Sequence, residues 1–276
     1  MAARKGRTRP RSWSGGWLGL GWVATALFFA FIGLPFAALF VRGLPREGFW
    51  SSLAAHTVLE ALRLSFITSA ITLGVAVVVG TPMAYLLARR RFPGSAAIDA
   101  CIELPVVLPP VVAGLGMLMA FGRVGLLGST FEFLGFSIPF TMAAVVFAQL
   151  FVSAPFYVRA AKIGFEAVDP GLEEISETLG ESPARTFLRV SLPLASRALA
   201  GGLALCWARA ISEFGATLIF AGNLPGRTQT MPLAIMSALE TDLSAALALA
   251  IVLAVISLGV LLAVRLALGR TWGPAP

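Results

Sequence analysis

The chain has 276 residues, of which 58% are hydrophobic and only 13% are charged. This balance is far more apolar than that of a soluble domain, so it excludes a soluble globular protein and places the chain in a membrane. The formal net charge of +7 does not indicate nucleic-acid binding, because the basic residues stand beside apolar segments, where membrane topology explains them.

Apolar segments in chain order predict an all-α, polytopic membrane protein with six transmembrane helices. A basic tail occupies residues 1–16, and one transmembrane domain fills residues 17–270. The first apolar run is longer than the roughly 7 to 15 residues of a signal-peptide core, so we interpret it as a retained span. The predicted spans lie at about residues 17–41, 64–88, 103–122, 139–160, 194–221 and 243–268.

The third span carries prolines inside an apolar run, at Pro105, Pro109 and Pro110, followed by Gly114. Proline lacks an N–H donor and clashes with the preceding turn, while glycine allows close approach, so this helix is predicted to be kinked or broken. Unpaired backbone at membrane depth is tolerated only against protein or a water-filled cavity. We therefore expect Pro109, Pro110 and Gly114 to border the solute pathway, although a merely kinked packing helix fits equally well.

The only long polar insertion, residues 161–193, lies between the fourth and fifth spans and is called the polar loop here. Asp169 followed by Pro170 is a helix start, and Gly180 is a helix stop. The short helix between them is predicted to be amphipathic, with apolar residues on one face and acidic residues on another: Leu172, Ile175 and Leu179, against Glu173 and Glu177. Ser182 and Pro183 repeat the start signal, and Pro193 is expected to end this second helix.

The fifth span carries charge at Arg209 and Glu213, four residues apart, with Ser212 and Thr217 nearby. Ionisable groups at membrane depth normally face the bundle interior or a wet cavity and pair with one another. Two interpretations stay open. Either these four residues border the solute path and Arg209 offers a positive field to an anion, or the pair is an internal salt bridge that positions helices.

The distribution of basic residues predicts which side of the membrane is cytoplasmic. Six spans place both termini on one side, and that side holds most Lys and Arg residues: Arg4, Lys5, Arg7, Arg9, Arg11, Arg89, Arg90, Arg91, Arg159, Lys162, Arg185, Arg189, Arg197, Arg265 and Arg270. The other side keeps Arg42, Arg46, Arg63, Arg123 and Arg227. Both termini and the polar loop are therefore expected in the cytoplasm.

Neither lysine of the chain can belong to a phosphate-binding P-loop, which needs Gly-Lys-Ser/Thr. Lys5 is followed by Gly6, and Lys162 is followed by Ile163. If transport is driven by ATP, another polypeptide must therefore hydrolyse it.

The polar loop resembles the EAA loop of permease subunits of ABC importers. The match rests on spacing: Glu174, Ile175, Ser176, Gly180, Val190, Leu192 and Pro193, with Ile175 and Ser176 in place of two alanines. In that family the loop forms a coupling helix seated in a groove of a separate ATPase subunit. The resemblance implies an ATPase interface at Leu172, Glu173, Glu174, Ile175, Ser176, Glu177, Leu179, Gly180 and Ser182. The alternative, a helix lying flat on the bilayer, is disfavoured because such helices usually present Lys and Arg rather than carboxylates.

Two further stretches are similar to molybdate ABC transporter permeases, and less similar to those for sulfate and thiosulfate. They are LPPVVAGLGMLMAFGRVGLLG and ARAISEFGATLIFAGNLPGRTQTMPLAIM. The resemblance implies a type I ABC importer permease fold with a cytoplasmic coupling helix, a homodimer in the bacterial inner membrane, and a role in molybdate transport. The implied partners are two ATPase subunits, which use ATP and Mg²⁺, and an extracytoplasmic binding protein. No cofactor or metal is expected on this chain, and tungstate or sulfate stay alternative substrates.

Two functions from other classes compete with an ATP-driven permease. An ion-coupled secondary transporter could use Arg209 and Glu213 as a relay, but the two three-span halves show no convincing duplication of the kind found in such transporters. A membrane-embedded enzyme is disfavoured because the spans contain no Ser/His, HExxH or paired-aspartate constellation.

Overall fold

The computed structural model describes residues 15–53, 55–90 and 92–269, and every regular element in these ranges is helical. The helices are α1 Gly15–Gly43, α2 Phe49–Leu53, α3 His56–Arg89, α4 Ser95–Val107, α5 Pro110–Phe121, α6 Gly128–Phe133, α7 Met142–Glu166, α8 Pro170–Thr178, α9 Pro183–Thr186, α10 Leu192–Ile211, α11 Gly215–Ala221, α12 Met231–Thr241 and α13 Leu243–Gly269. A π-helical turn, Phe187–Ser191, joins α9 to α10. The predicted basic tail, apart from residues 15 and 16, lies outside the described residues, as does Arg270.

Five helices in the described ranges are long and apolar enough to cross a membrane: Gly19–Gly43, His56–Arg89, Met142–Glu166, Pro183–Ile211 and Leu243–Val264. A sixth crossing is reached if the bent pair α4 and α5 is one span. The chain divides into two compact units, Met1–Glu47 with α1 and Gly48–Pro276 with the other helices. The predicted all-helical, polytopic fold class is confirmed.

The second unit is organised around α7, which packs against both α3 and α10. The contact with α10 depends on small residues. A Cβ at Gly164 would lie 2.6 Å from the Cβ of Ala198, and a Cβ at Gly202 would lie 2.6 Å from that of Ala160. Such small-residue contacts bring helix backbones close together in membranes. They hold together the two helices between which the polar loop runs.

The predicted break in the third span is confirmed. The axes of α4 and α5 differ by 115°, and the break lies at Leu108 and Pro109. Pro109 and Pro110 cannot donate backbone hydrogen bonds, so the first helix ends and a second begins with Pro110 in its first turn. The first arm starts at Ser95, earlier than predicted. Each arm is only about 18 to 20 Å long, shorter than the hydrocarbon core of roughly 30 Å.

Pro193 does not end a second helix, which corrects the sequence-based expectation. The helix that begins at Pro183 continues through the π-helical turn into α10, and Pro193 lies in the first turn of α10. The reason is the wider turn, in which the Leu192 N–H donates to the Phe187 carbonyl five residues earlier. A π turn absorbs the backbone disruption that a proline causes within a regular α-helix.

The fifth span, predicted at 194–221, is also interrupted. Helix α10 ends at Ile211, and α11 begins at Gly215 after a short non-helical break. The loop predicted before the sixth span contains a helix that the sequence analysis missed, α12. Apolar periodicity did not separate α12 from the turn before it, because the segment has only 11 residues.

Candidate functional site

The short helix of the polar loop, α8, begins and ends where the sequence predicted. At its start, the Asp169 carboxylate accepts a hydrogen bond from the Gly171 N–H at 2.9 Å. At its end, Gly180 has a φ of +92°, a conformation that favours glycine. The N–H of Gly180 donates to the Glu177 carbonyl, and that of Glu181 to the Ser176 carbonyl. These paired bonds form a Schellman motif, so both ends of α8 are closed by local hydrogen bonds.

The apolar side chains of α8 point away from the rest of the second unit. Leu172, Ile175 and Leu179 are 43%, 59% and 80% exposed, and Glu174 beside them is also exposed. We call these four residues the outer face of α8. Two large apolar side chains on a helix of nine residues and a third directly after it form an unusual exposed surface, and such surfaces commonly mark protein contacts.

Glu173 points the other way, into the protein. Its side chain is only 13% exposed, and it contacts three residues that the sequence analysis did not connect with it. Arg89 donates to Oε1 from Nη2 at 2.8 Å and from Nε at 3.1 Å, the Ser191 hydroxyl donates to the same oxygen, and the Tyr85 hydroxyl donates to Oε2 at 3.3 Å. We call this group the Glu173 anchor.

The Glu173 carboxyl group stays ionised at neutral pH. Burial by itself raises the pKa of the carboxyl, but the hydrogen bonds from Arg89, Ser191 and Tyr85 and the charge of Arg89 outweigh it, so the pKa of Glu173 lies below its ordinary value. A carboxyl whose pKa is lower in the folded chain stabilises the fold above its unfolded-state pKa. That stabilisation is lost as the pH falls through the folded-state pKa.

The anchor ties α8 to two transmembrane helices. Arg89 and Tyr85 are at the end of α3, and Ser191 closes the π-helical turn that leads into α10. The ring of Tyr85 packs between those of Phe165 and Phe187, at centroid distances of 5.3 and 4.9 Å. A signal for part of this arrangement was present in the sequence: Tyr85 and Arg89 lie one helical turn apart at the end of a span.

The remaining predicted interface residues lie on the flanks of α8. The Ser176 hydroxyl is 2.9 Å from that of the buried Thr186, which holds α8 against α9. Glu177 and Ser182 are exposed. The structure thus brings the predicted residues into one small motif and divides them between an outward surface and an inward attachment.

The intramembrane charge pair forms, although not within one continuous helix. Arg209 Nη2 lies 2.7 Å from Glu213 Oε2, and Glu213 is 1% exposed while Arg209 is 26% exposed. The other carboxylate oxygen of Glu213 accepts from the Ala216 N–H at 2.8 Å, in the first turn of α11. Arg209 lies in the last turn of α10, so each charge opposes the partial charge of the helix end beside it. The pair bridges the break between these helices.

The other pathway candidates meet where α5 crosses α11. A Cβ at Gly114 would lie 2.8 Å from the Ala216 carbonyl oxygen, and a Cβ at Gly215 would lie 3.0 Å from the Cβ of Pro110. Pro109, just before α5, is exposed. Close backbone approach therefore explains Gly114, as an alternative to a role in lining the solute path.

Two small polar residues near the Arg209–Glu213 pair, Ser212 and Thr217, differ in their exposure. Ser212 is exposed, and its hydroxyl donates to the Arg209 carbonyl at 3.2 Å. Thr217 is fully buried, and its hydroxyl has no hydrogen-bond partner among the described residues. Ser212 and Arg209 are thus the members of the predicted set with accessible polar surface.

Replacing Gly114 with alanine is expected to lower the free energy of unfolding by about 1 to 3 kcal/mol, because the new Cβ meets backbone that cannot move aside easily. Gly116→Ala is the matched control. A Cβ at Gly116 meets nothing within 4 Å, so alanine should be neutral or stabilising by up to about 1 kcal/mol. Thermal unfolding of the two purified variants in detergent measures the difference, and equal melting temperatures would contradict the close crossing.

Comparison with known families identifies the class of protein. Residues 76–270 match the family model described as "Binding-protein-dependent transport system inner membrane component". This match covers more than half of the chain, including the polar loop and the Arg209–Glu213 pair.

Similar curated proteins are permeases for molybdenum and related systems. The chain is 42% identical over 217 residues to the molybdenum transport system permease protein ModB of Mycobacterium tuberculosis, covering 78% of this chain and 81% of that protein. It is 36% identical over 223 residues to the probable transport system permease protein NifC of Clostridium pasteurianum, covering 80% and 78%. It is 40% identical over 193 residues to the molybdate/tungstate permease protein WtpB of Thermococcus kodakarensis, covering 70% and 73%.

Solved structures share the fold at low sequence identity. A chain of a bacterial ABC transporter involved in the import of the acidic polysaccharide alginate aligns with a TM-score of 0.72 and 15% identity, covering 93% of this chain and 96% of that one. An amino acid ABC transporter aligns with a TM-score of 0.55 and 18% identity, covering 78% and 94%. Together with the family match, these likenesses confirm the predicted type I importer fold. The chain therefore belongs to the family of inner-membrane components of binding-protein-dependent transport systems, as a permease subunit of an ABC importer and not an enzyme.

Proposed function

We propose that this chain forms, as a homodimer, the translocation pathway for molybdate in the bacterial inner membrane. Two cytoplasmic ATPase subunits, which bind ATP and Mg²⁺, drive transport, and an extracytoplasmic binding protein delivers the anion. The observation that carries the proposal is the division of α8 between an exposed apolar outer face and the inward-pointing Glu173, which is only 13% exposed. One side of the helix is free to meet a partner while the other is fixed to the transmembrane helices.

The geometry suits the transmission of force. A partner that moves the outer face of α8 pulls on Glu173, and Glu173 is bonded to Arg89 at the end of α3 and to Ser191 before α10. Because charge-assisted hydrogen bonds are about twice as strong as neutral ones, this attachment resists pulling better than packing of so small a helix would. The displacement of α8 therefore reaches both helices that flank α7.

The proposed orientation follows from the same helix. With α8 in the cytoplasm, Arg89 and the basic residues beside it are cytoplasmic, as the excess of Lys and Arg predicts. Both termini are then cytoplasmic, and the break between α10 and α11 lies toward the outer side.

Molybdate is the proposed substrate because relatives at 36 to 42% identity carry molybdenum, molybdate/tungstate or related permease names. Tungstate and sulfate are the nearest alternatives, since both are tetrahedral dianions of similar chemistry. The Arg209–Glu213 pair supports a weakly attractive path rather than a tight anion site, because Glu213 neutralises much of the field of Arg209. Selectivity is then set mainly by the binding protein.

The proposal is tested by reconstituting the chain with its ATPase and binding protein in proteoliposomes. Uptake of radiolabelled molybdate is expected to require ATP and to be independent of an imposed proton gradient. The variant Ile175→Asp/Leu179→Asp should lose at least about tenfold of both uptake and ATPase association, because two carboxylates replace apolar contacts on the outer face of α8.

Leu126→Asp is the matched control for that variant. Leu126 is 87% exposed, like Leu179, but it lies in the loop before α6, far along the chain from α8. Co-purification of the ATPase with each variant measures association directly. An outer-face variant that keeps its ATPase would show that the ATPase binds elsewhere on the chain, and uptake by the wild type without ATP would overturn the proposed ATP-driven function.

A further inference from the structure

A cavity of about 570 Å³ lies beside the start of α7, the end of that helix away from α8. Arg123 and Arg227 both line it, together with Ser137 and apolar residues of α5 and of the segment before α7. Both arginines are exposed, and neither side chain has an ion-pair or hydrogen-bond partner within the described ranges. The Ser137 hydroxyl likewise has no such partner there. Three free donor groups therefore share one cavity.

One residue of the cavity wall, Phe140, has a backbone conformation that neighbouring residues must stabilise. Phe140 has a φ of +61°, which is uncommon for a residue other than glycine and is retained only when its surroundings enforce it. Its N–H lies 3.4 Å from the Phe220 carbonyl oxygen, and its ring lies against Gly222, where a Cβ would come within 3.0 Å of the ring. The segment that carries Ser137 is thus locked to the end of α11.

Arg227 stands on a rigid turn. The N–H groups of Arg227, Thr228 and Gln229 all donate to the Leu224 carbonyl, and the Leu224 N–H donates to the buried Thr228 hydroxyl at 3.0 Å. The backbone beneath Arg227 is therefore fixed while its side chain stays accessible. A preorganised backbone lowers the entropic cost of placing a guanidinium on a ligand.

The chemistry of the cavity favours a small dianion. Guanidinium groups present planar forks of donors that match the oxygen atoms of tetrahedral oxyanions. Two acidic residues lie nearby, Glu132 in an adjoining cavity with Arg123 and Glu60 near Gly226, but neither forms an ion pair with the two arginines. The local charge at the cavity is therefore not cancelled by a bonded carboxylate, unlike that of Arg209.

We propose that this cavity is an outer acceptor site, in which Arg123, Arg227 and Ser137 hold a tetrahedral oxyanion as it leaves the binding protein. The proposal rests on the proposed function and adds a site to it. Because both guanidinium groups are exposed, binding is weak and falls with ionic strength. Weak binding suits a transient site, since an anion held tightly at the entrance would not move on.

The direct test measures binding to the permease alone, in lipid nanodiscs without binding protein or ATPase. Equilibrium dialysis with radiolabelled molybdate is expected to show weak binding to the wild-type chain. Sulfate is expected to compete with molybdate for this binding, because it has the same charge and the same tetrahedral shape. Arg123→Gln/Arg227→Gln should weaken this binding by about tenfold or more, since each charged hydrogen bond lost costs on the order of a factor of ten. Arg63→Gln is the matched control, an exposed arginine on α3 outside the cavity.

Two outcomes overturn the acceptor site. One is equal binding of molybdate to the wild type and to the double variant. The other is unchanged anion binding together with loss of binding-protein association, which would make the arginines a docking contact for an acidic surface. Failure of the proposed function is separate, because it appears as absence of ATP-dependent uptake by the wild-type reconstituted transporter.

Discussion

Glu173→Ala is expected to uncouple the transporter, lowering ATP-driven uptake by at least about tenfold while the chain still inserts in the membrane. The substitution removes every polar contact of the Glu173 anchor and leaves Arg89, itself only 13% exposed, without its partner. Breaking a fully buried ion pair by removing one partner costs about 3 to 5 kcal/mol, and this pair, whose two side chains are each 13% exposed, should cost less than that. Here that cost falls on the attachment between α8 and the two transmembrane helices, so ATPase closure should move α8 without moving the rest of the chain.

The readout that identifies uncoupling is the ratio of ATP hydrolysis to uptake in proteoliposomes. Glu173→Ala should keep measurable ATPase association and hydrolysis while uptake falls, because the outer face of α8 is unchanged. Glu181→Ala is the matched control from the same loop. Its ion pairs with Arg185 and Arg189 are at the exposed surface, where such pairs contribute little, so uptake should change by less than about twofold. Parallel loss of hydrolysis and uptake in Glu173→Ala would contradict a purely mechanical role.

Removal of either member of the Arg209–Glu213 pair is expected to destabilise the chain, with the larger effect from Arg209→Met. That variant leaves a carboxylate that is 1% exposed without its cation, whereas Glu213→Gln leaves an arginine that still reaches solvent. The expected loss for Arg209→Met is about 3 kcal/mol or more. Thermal unfolding in detergent, followed for both single variants and the double variant, measures the coupling between the two residues.

The double variant Arg209→Met/Glu213→Gln separates the two interpretations of this pair. We expect it to recover most of the lost stability, because no unpaired buried charge remains, and to retain a glutamine that can accept from the Ala216 N–H. Uptake should stay low if Arg209, with its accessible surface, supplies a positive field along the path. Full recovery of uptake together with stability would show instead that the pair only positions α10 and α11.

Local signals in the sequence predicted the features that depend on local chemistry. Asp169, Pro170 and Gly180 set the ends of α8 through their own backbone and side-chain bonds, and paired prolines broke the third span, because neither effect needs a distant partner. Local signals could not predict that the Glu173 side chain points into the protein. Its orientation depends on Arg89, which is 84 residues away in the chain, and amphipathic spacing alone groups it with the exposed Glu177.

The same distinction explains the errors in the later spans. A proline within a helix is usually read as its end, but at Pro193 the preceding π-helical turn accommodates the proline without a break. The break after Ile211 was missed because the segment remains apolar on both sides of it. Glu213 marks that break through its bond to the Ala216 N–H, a contact visible only in three dimensions.

The glycine contacts between α7 and α10 have a consequence for how the protein can change shape. A Cβ at Gly164 or Gly202 would lie 2.6 Å from an alanine Cβ of the facing helix, so little room is left for one helix to slide along or roll over the other. We therefore expect α7 and α10 to move as one rigid unit during each transport cycle. Any hinge is then expected outside this contact. A bulky replacement at Gly164 or Gly202 should block the movement rather than make it easier.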